Sequence, residues 1–234
     1  MKVIVTGFVN TMSKPQRAAG WIYLPMHIAI IPLLLGMLAF YIPNGMDDAA
    51  VNIIYYGIGL AFCLIAMWRY LRGAFDILLD NLAKNIVIFT FAYCIQIMLG
   101  FIVSAVLMLI VGDNAANPNE EMVAEIANSS YRAILGVSVF IAPVVEEILF
   151  RGIVFGGIRQ RNRTWAYVTS IALFAFYHVW QYAFAYHDAA MLIYAIQYVP
   201  AAYALAWSYE KTNCIWIPVF LHMLMNIVAM AVIL

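Results

Sequence analysis

A chain of 234 residues that is 66% hydrophobic and only 10% charged has too little polar surface to fold in water, where domains carry roughly 25% charged residues. Lipid must solvate the excess, and several stretches reach the ~20 apolar residues that cross a bilayer. The 12 basic and 12 acidic residues cancel, which leaves no basic field for nucleic acid. Cys63, Cys94 and Cys214 lie far apart with no CxxC pair, which argues against a disulfide framework or a zinc–thiolate site. The chain reads as all-α: one integral membrane domain over residues 1–234, built as a bundle of about seven spans, with eight possible.

In chain order, Lys2, Lys14 and Arg17 precede an apolar run too long for a signal-peptide core and without a small-residue cleavage site, so it reads as a retained first span. That span covers about Trp21–Ile42, with Pro25 and Pro32 inside it, residues that membrane helices tolerate. The second is about Val51–Tyr70. Phe75–Lys84 alternates apolar and polar residues at helical spacing and is expected to lie along the interface. The third span is about Asn85–Val111, followed by the longest polar stretch, Gly112–Ser130, with Asp113, Glu120, Glu121 and Glu125. The remaining spans are about Tyr131–Ile158, Thr164–Tyr186, Ala189–Tyr209 and Thr212–Leu234. No internal repeat stands out.

Basic residues orient the bundle. Lys2, Lys14 and Arg17 come before the first span, Arg69, Arg72 and Lys84 between the second and third, Arg159, Arg161 and Arg163 between the fourth and fifth, and Lys211 between the sixth and seventh. These 10 of the 12 basic residues fall on one side, which the positive-inside rule names cytoplasmic. The N-terminus is then expected inside and the C-terminus outside, in a bacterial plasma membrane.

An ionisable residue inside a span costs at least ~2.5 kcal/mol and is a functional candidate by default. The fourth span carries Glu146, Glu147 and Arg151, the fifth His178, and the seventh His222 with Asn226. Glu147 and Arg151 are four apart and can neutralise each other, whereas Glu146, rotated ~100° away, should point elsewhere. His27 beside Pro25 reads as structural, and His187 falls in an outer turn where no function is expected. Tyr177, Trp180, Tyr182, Phe184 and Tyr186 around His178 read as packing or interfacial belt.

Depth joins the candidates. Glu146 lies 13 residues before Arg159 and His178 lies 15 after Arg163, so both sit ~20 Å from the basic turn, and an antiparallel hairpin sets them opposite each other. His222 and Asn226 follow Lys211 by 11 and 15 residues, roughly 16 and 22 Å. Three helices thus bring polar groups to one level near the bilayer midplane. A carboxylate in apolar surroundings suits a general base, a histidine can share its water, and a second histidine with an asparagine can donate to a developing oxyanion. No serine or cysteine stands beside the cluster as a nucleophile, so water attack on a carbonyl is the natural chemistry.

The same residues carry a resemblance. Glu146-Glu147-x-x-x-Arg151, Phe174-x-x-x-His178 and His222-x-x-x-Asn226 resemble the three motifs of the CPBP (Abi) family, which comprises the type II CAAX prenyl proteases and the bacteriocin-processing and immunity proteins. Phe150-Arg151-Gly152 closes the first motif, and Glu210 through Pro218 precedes the third. Where the family usually has Thr-Gly-Ser, this chain has Thr212-Asn213-Cys214, and asparagine can replace glycine in a turn. The motifs cover roughly residues 140–230, inside a core of about 131–234. The resemblance implies an intramembrane endopeptidase in which Glu146 activates water with His178, His222 and Asn226 form the oxyanion site, and Glu147 with Arg151 supports the structure. The family's prenyl proteases have eight spans, and a short helix in the basic turn or at Phe75–Lys84 would supply the eighth here.

The implied partners are the bilayer and a membrane-associated peptide or protein. No cofactor is required, although Glu146, His178 and His222 would also suit zinc with an open position for water; the HExxH helix of zinc proteases is absent. Two further functions compete with the peptidase: a non-catalytic immunity or signalling scaffold of the same fold, and a transporter using Glu146 and His178 as a proton relay.

Overall fold

The computed structural model describes residues 7–42, 45–112 and 117–233. Helix α1 (Lys14–Tyr41) starts from a reciprocal cap in which Ser13 accepts the Gln16 N–H and Gln16 accepts the Ser13 N–H. Pro25 has no N–H to give the helix, and the chain widens into a π turn at Met26–Ile30 before continuing. Helix α2 (Asp48–Ala66) is capped by Asp47 and stops at Met67, where a separate helix α3 (Trp68–Asp80) begins. The second apolar span therefore starts and ends a few residues earlier than hydropathy suggests, and the amphipathic helix starts before Phe75. Tyr70, Leu71, Ala74 and Leu78 form the buried face of α3. Helix α4 (Leu82–Val111) is one unbroken rod.

The polar stretch after Gly112 is helical from Pro118 onward. Asn117 caps it, Pro118 opens it, and Glu120 and Glu121 sit in the first turn, where negative charge meets the positive end of the helix dipole. This helix, α5 (Pro118–Leu135), kinks at Ser130 and runs on through a π turn (Gly136–Ile141), α6 (Ala142–Glu147), a second π turn (Ile148–Phe155) and α7 (Gly156–Arg159). Helix α8 (Arg163–Tyr177) ends at His178, and a short α9 (Trp180–Ala185) follows, so the expected fifth span is broken in its middle. A 3₁₀ stretch (Ala189–Tyr198) leads into α10 (Val199–Thr212), which ends at Asn213 in the left-handed conformation, φ 53°. Asparagine tolerates that conformation better than most residues, and the turn feeds α11 (Trp216–Ile233).

Among the described residues, five helices are long and apolar enough to cross a membrane: Lys14–Tyr41, Asp48–Ala66, Leu82–Val111, Ser130–Arg159 and Ala189–Thr212. Trp216–Val232 is a shorter apolar sixth. The protein is an all-α polytopic bundle with Ser130–Arg159 at its centre, packed against α1, α2, α8 and α11. At one end Glu210 binds Arg159, Arg163 and Tyr167, and Arg17 reaches Gln160, so the basic turns gather there. Asn213 takes the Val9 N–H and donates to the Gly7 carbonyl at the same end.

Candidate active site

The two π turns flank α6, the short helix that carries Glu146 and Glu147, and all of residues 145–155 are buried. Such widened turns recur at functional sites because they rotate side chains out of the regular helical register. Glu147 turns away from the cavity. Its Oε1 accepts from Arg151 at 3.0 Å and from His222 Nδ1 at 2.8 Å. Arg151 also donates to the Ala202 carbonyl at 3.3 Å, and its guanidinium lies 4.2 Å over the Phe174 ring. With both side chains fully enclosed, each charge has the other as its counter-ion, which is what keeps a buried pair tolerable.

Glu146 faces the other way. Its Oε1 accepts the Tyr56 hydroxyl at 2.8 Å, while its Oε2 is buried with no hydrogen-bond partner. His178 Nε2 lies 3.7 Å from that oxygen and His222 Nε2 lies 3.9 Å. These gaps are too long for a direct hydrogen bond and suit one bridging water. The ring orientations are held from behind. Where α8 ends, His178 Nδ1 donates to the Phe174 carbonyl at 2.8 Å, and His222 Nδ1 donates to Glu147. The donor at Nδ1 leaves Nε2 of a neutral ring as an acceptor.

A cavity of about 590 Å³ opens onto this group, lined by Glu146, His178, His222 and Asn226 among others. Asn226 shares the cavity stripe with His222, and one of its N–H groups donates to the Ser138 carbonyl at 2.7 Å. The structure therefore brings together Glu146, His178, His222 and Asn226, and it pairs Glu147 with Arg151. It adds a link absent from the sequence reading, the bond from Glu147 to His222.

Sequence reasoning also missed a tyrosine array. Tyr56 and Tyr55 each lie 3.1 Å from the Tyr177 hydroxyl, and Tyr55 donates to the His27 carbonyl at 2.8 Å. Four contacts share three hydroxyl protons when Glu146 is ionised, and a proton on Oε1 of Glu146 completes the chain through Tyr56, Tyr177 and Tyr55 to His27. His27 itself is fully buried and stacks on Tyr55 with ring centroids 4.5 Å apart. The available signal was two adjacent tyrosines amid the apolar residues of one span, which hydropathy scores as nearly neutral. Among the described residues no group of three or more His, Cys, Asp or Glu is placed to hold a metal ion.

Residues 128–228 match the family model described as "Type II CAAX prenyl endopeptidase Rce1-like". This part of the chain is similar to that family over 101 of the 234 residues. A stretch of 91 residues, 38% of the chain, is 32% identical to "Putative membrane peptidase YdiL" of Bacillus subtilis (strain 168). The match spans about a third of that relative's length, 33%. No solved structure matches the chain significantly. The family segment holds Glu146, Glu147, Arg151, His178, His222 and Asn226, whereas Tyr56 lies outside it.

Proposed function

We propose that this protein is an intramembrane endopeptidase that hydrolyses a peptide bond of a membrane-associated peptide or protein with water activated by Glu146. The observation that carries this reading is the buried, unpartnered Oε2 of Glu146 facing two histidine Nε2 atoms at 3.7 and 3.9 Å inside an open cavity. A water there donates one hydrogen to Glu146 and the other to His178, which leaves its lone pairs for the substrate carbonyl. As the C–O bond forms, Glu146 takes the water proton and the carbonyl oxygen becomes an oxyanion. The second N–H of Asn226 and Nε2–H of His222 stabilise that charge. For His222 to donate at Nε2 while Nδ1 donates to Glu147, its ring must carry both protons. Glu146 then passes its proton to the amide nitrogen as the C–N bond breaks.

In this reading Tyr56 holds Oε1 so that Oε2 meets the water, and Glu147 with Arg151 holds His222. The bilayer supplies the substrate, and no cofactor is needed. The basic end faces the cytoplasm of a bacterial cell, with the N-terminus inside and the C-terminus outside.

The test replaces Glu146 by Gln, which keeps the shape and removes the base. Released peptides and new C-termini are compared between cells making wild type and variant, alongside thermal melts of the purified proteins. Normal folding with essentially no turnover is the expected result. Equal turnover would overturn the peptidase reading and favour the scaffold or the proton relay. A zinc-dependent version is separated by metal analysis: stoichiometric zinc lost in His222→Ala and kept in Asn226→Ala would replace the glutamate-only mechanism.

A further inference from the structure

The cavity has a chemistry of its own away from the reacting atoms. It extends from Glu146 to the helix ends opposite Arg159, Arg163 and Glu210, reaching Asp48 and Asn52 in the first turns of α2 and Glu120 in the first turn of α5. Its charged lining among the described residues, histidines aside, is Asp48, Glu120 and Glu146, so the lining is acidic and carries no lysine or arginine. Asp48 and Glu120 are exposed at the rim. Glu146 is 2% exposed, and its Oε2 is unpartnered at the inner end. Charges of one sign along a cleft with low-dielectric walls concentrate the opposite charge and repel their own.

The register of α2 sets a distance. Asp48 precedes Tyr56, the residue bonded to Glu146, by eight positions, or ~12 Å of helix. An extended peptide covers that in three or four residues at ~3.3 Å each. We infer that the cavity takes an extended peptide segment bearing a positive charge three or four residues from the bond at Glu146. The charge is a lysine, an arginine or a free amino group, and it enters through the acidic rim opposite the basic turns. This rests on the peptidase reading, because the reacting bond is placed at Glu146.

The test measures binding, so that it does not depend on turnover. Fluorescently labelled short apolar peptides carry lysine, norleucine or glutamate at one position and are titrated by anisotropy into the intact Glu146→Gln protein in nanodiscs. Lysine is expected to bind about tenfold tighter than norleucine and glutamate weakest, with the spread shrinking as salt screens the rim. The paired substitution Asp48→Lys with Glu120→Lys is expected to reverse that order. Should that variant misfold, Asp48→Asn with Glu120→Gln is expected to flatten it. Equal affinities, no binding of the lysine peptide, or a lysine preference that survives the rim substitutions would overturn the inference. A rim-dependent lysine preference without cleavage by wild type would uphold the acidic rim's selection of a positive charge and remove the peptidase reading. Cleavage with no charge preference would do the reverse.

Discussion

Helices Leu82–Val111 and Ser130–Arg159 are both 30 residues long and both apolar enough to cross a membrane, yet 6% of the most apolar stretch of the first is buried within the protein and 61% of the second. Leu109, Phe101 and Met98 of the first are 88%, 76% and 66% exposed, positions where lipid tails are as good a neighbour as another helix. The second carries Glu146, Glu147 and Arg151, which lipid would not accept, and its glycines let other segments close over them. A Cβ on Gly152 would lie 2.5 Å from Met12 Cε, and one on Gly156 would lie 2.9 Å from Asn10 Nδ2. Hydropathy measures compatibility with lipid. Which helix lies at the centre follows from polar groups that need enclosure and small residues that permit it.

The largest effect expected from this contrast is on stability. Arg151→Ala leaves Glu147 buried without its counter-ion, a loss of ~3–5 kcal/mol, seen as reduced folded yield and a lower melting temperature in detergent. Leu109→Ala on the lipid-facing rod is expected to stay within ~0.5 kcal/mol of wild type. A stable but inactive Arg151→Ala protein would move the guanidinium into the chemistry. Next in size, Asn226→Ala is expected to lower kcat by ~10²–10³-fold at near-constant KM. The double variant with His222→Ala should be less than additive if both donate to one oxyanion. A fall in folded yield with kcat unchanged would reduce Asn226 to its bond with Ser138.

Tyr56→Phe removes a hydrogen bond to a charged group, worth ~1.5–3 kcal/mol, and is expected to lower kcat roughly 10–100-fold at near-constant KM, with a modest fall in melting temperature. An unchanged kcat would confine the tyrosine array to packing. The smallest effect is expected one turn further along α2. A Cβ on Gly59 would lie 2.8 Å from Val145 Cγ1, whereas one on Gly57 meets nothing within 4 Å. Gly59→Ala should therefore push α2 away from α6 and cost a few-fold in kcat through the Tyr56 bond, with Gly57→Ala silent. Equal kcat values for the two would mean that the helix spacing does not tune Glu146.

Membrane class, the helical segments and the three polar motifs were legible in the chain because each is local: an apolar run of sufficient length, a cap, a spacing of four. The shared depth of Glu146, His178 and His222 could also be counted, since a straight helix converts residue number into height. Asn213 at a left-handed turn belongs to the same class of signal. Contacts between helices were not legible. Tyr56 reaches Glu146 across 90 positions, and His222 reaches Glu147 across 75; no periodicity encodes which helix becomes the neighbour. The break at His178 likewise arises where tertiary packing overrides regular helical geometry. The chain alone determined which groups must leave lipid and at what height they lie. Only the tertiary structure decided which of them face one another, because facing depends on helix packing, and packing is settled by all the contacts at once.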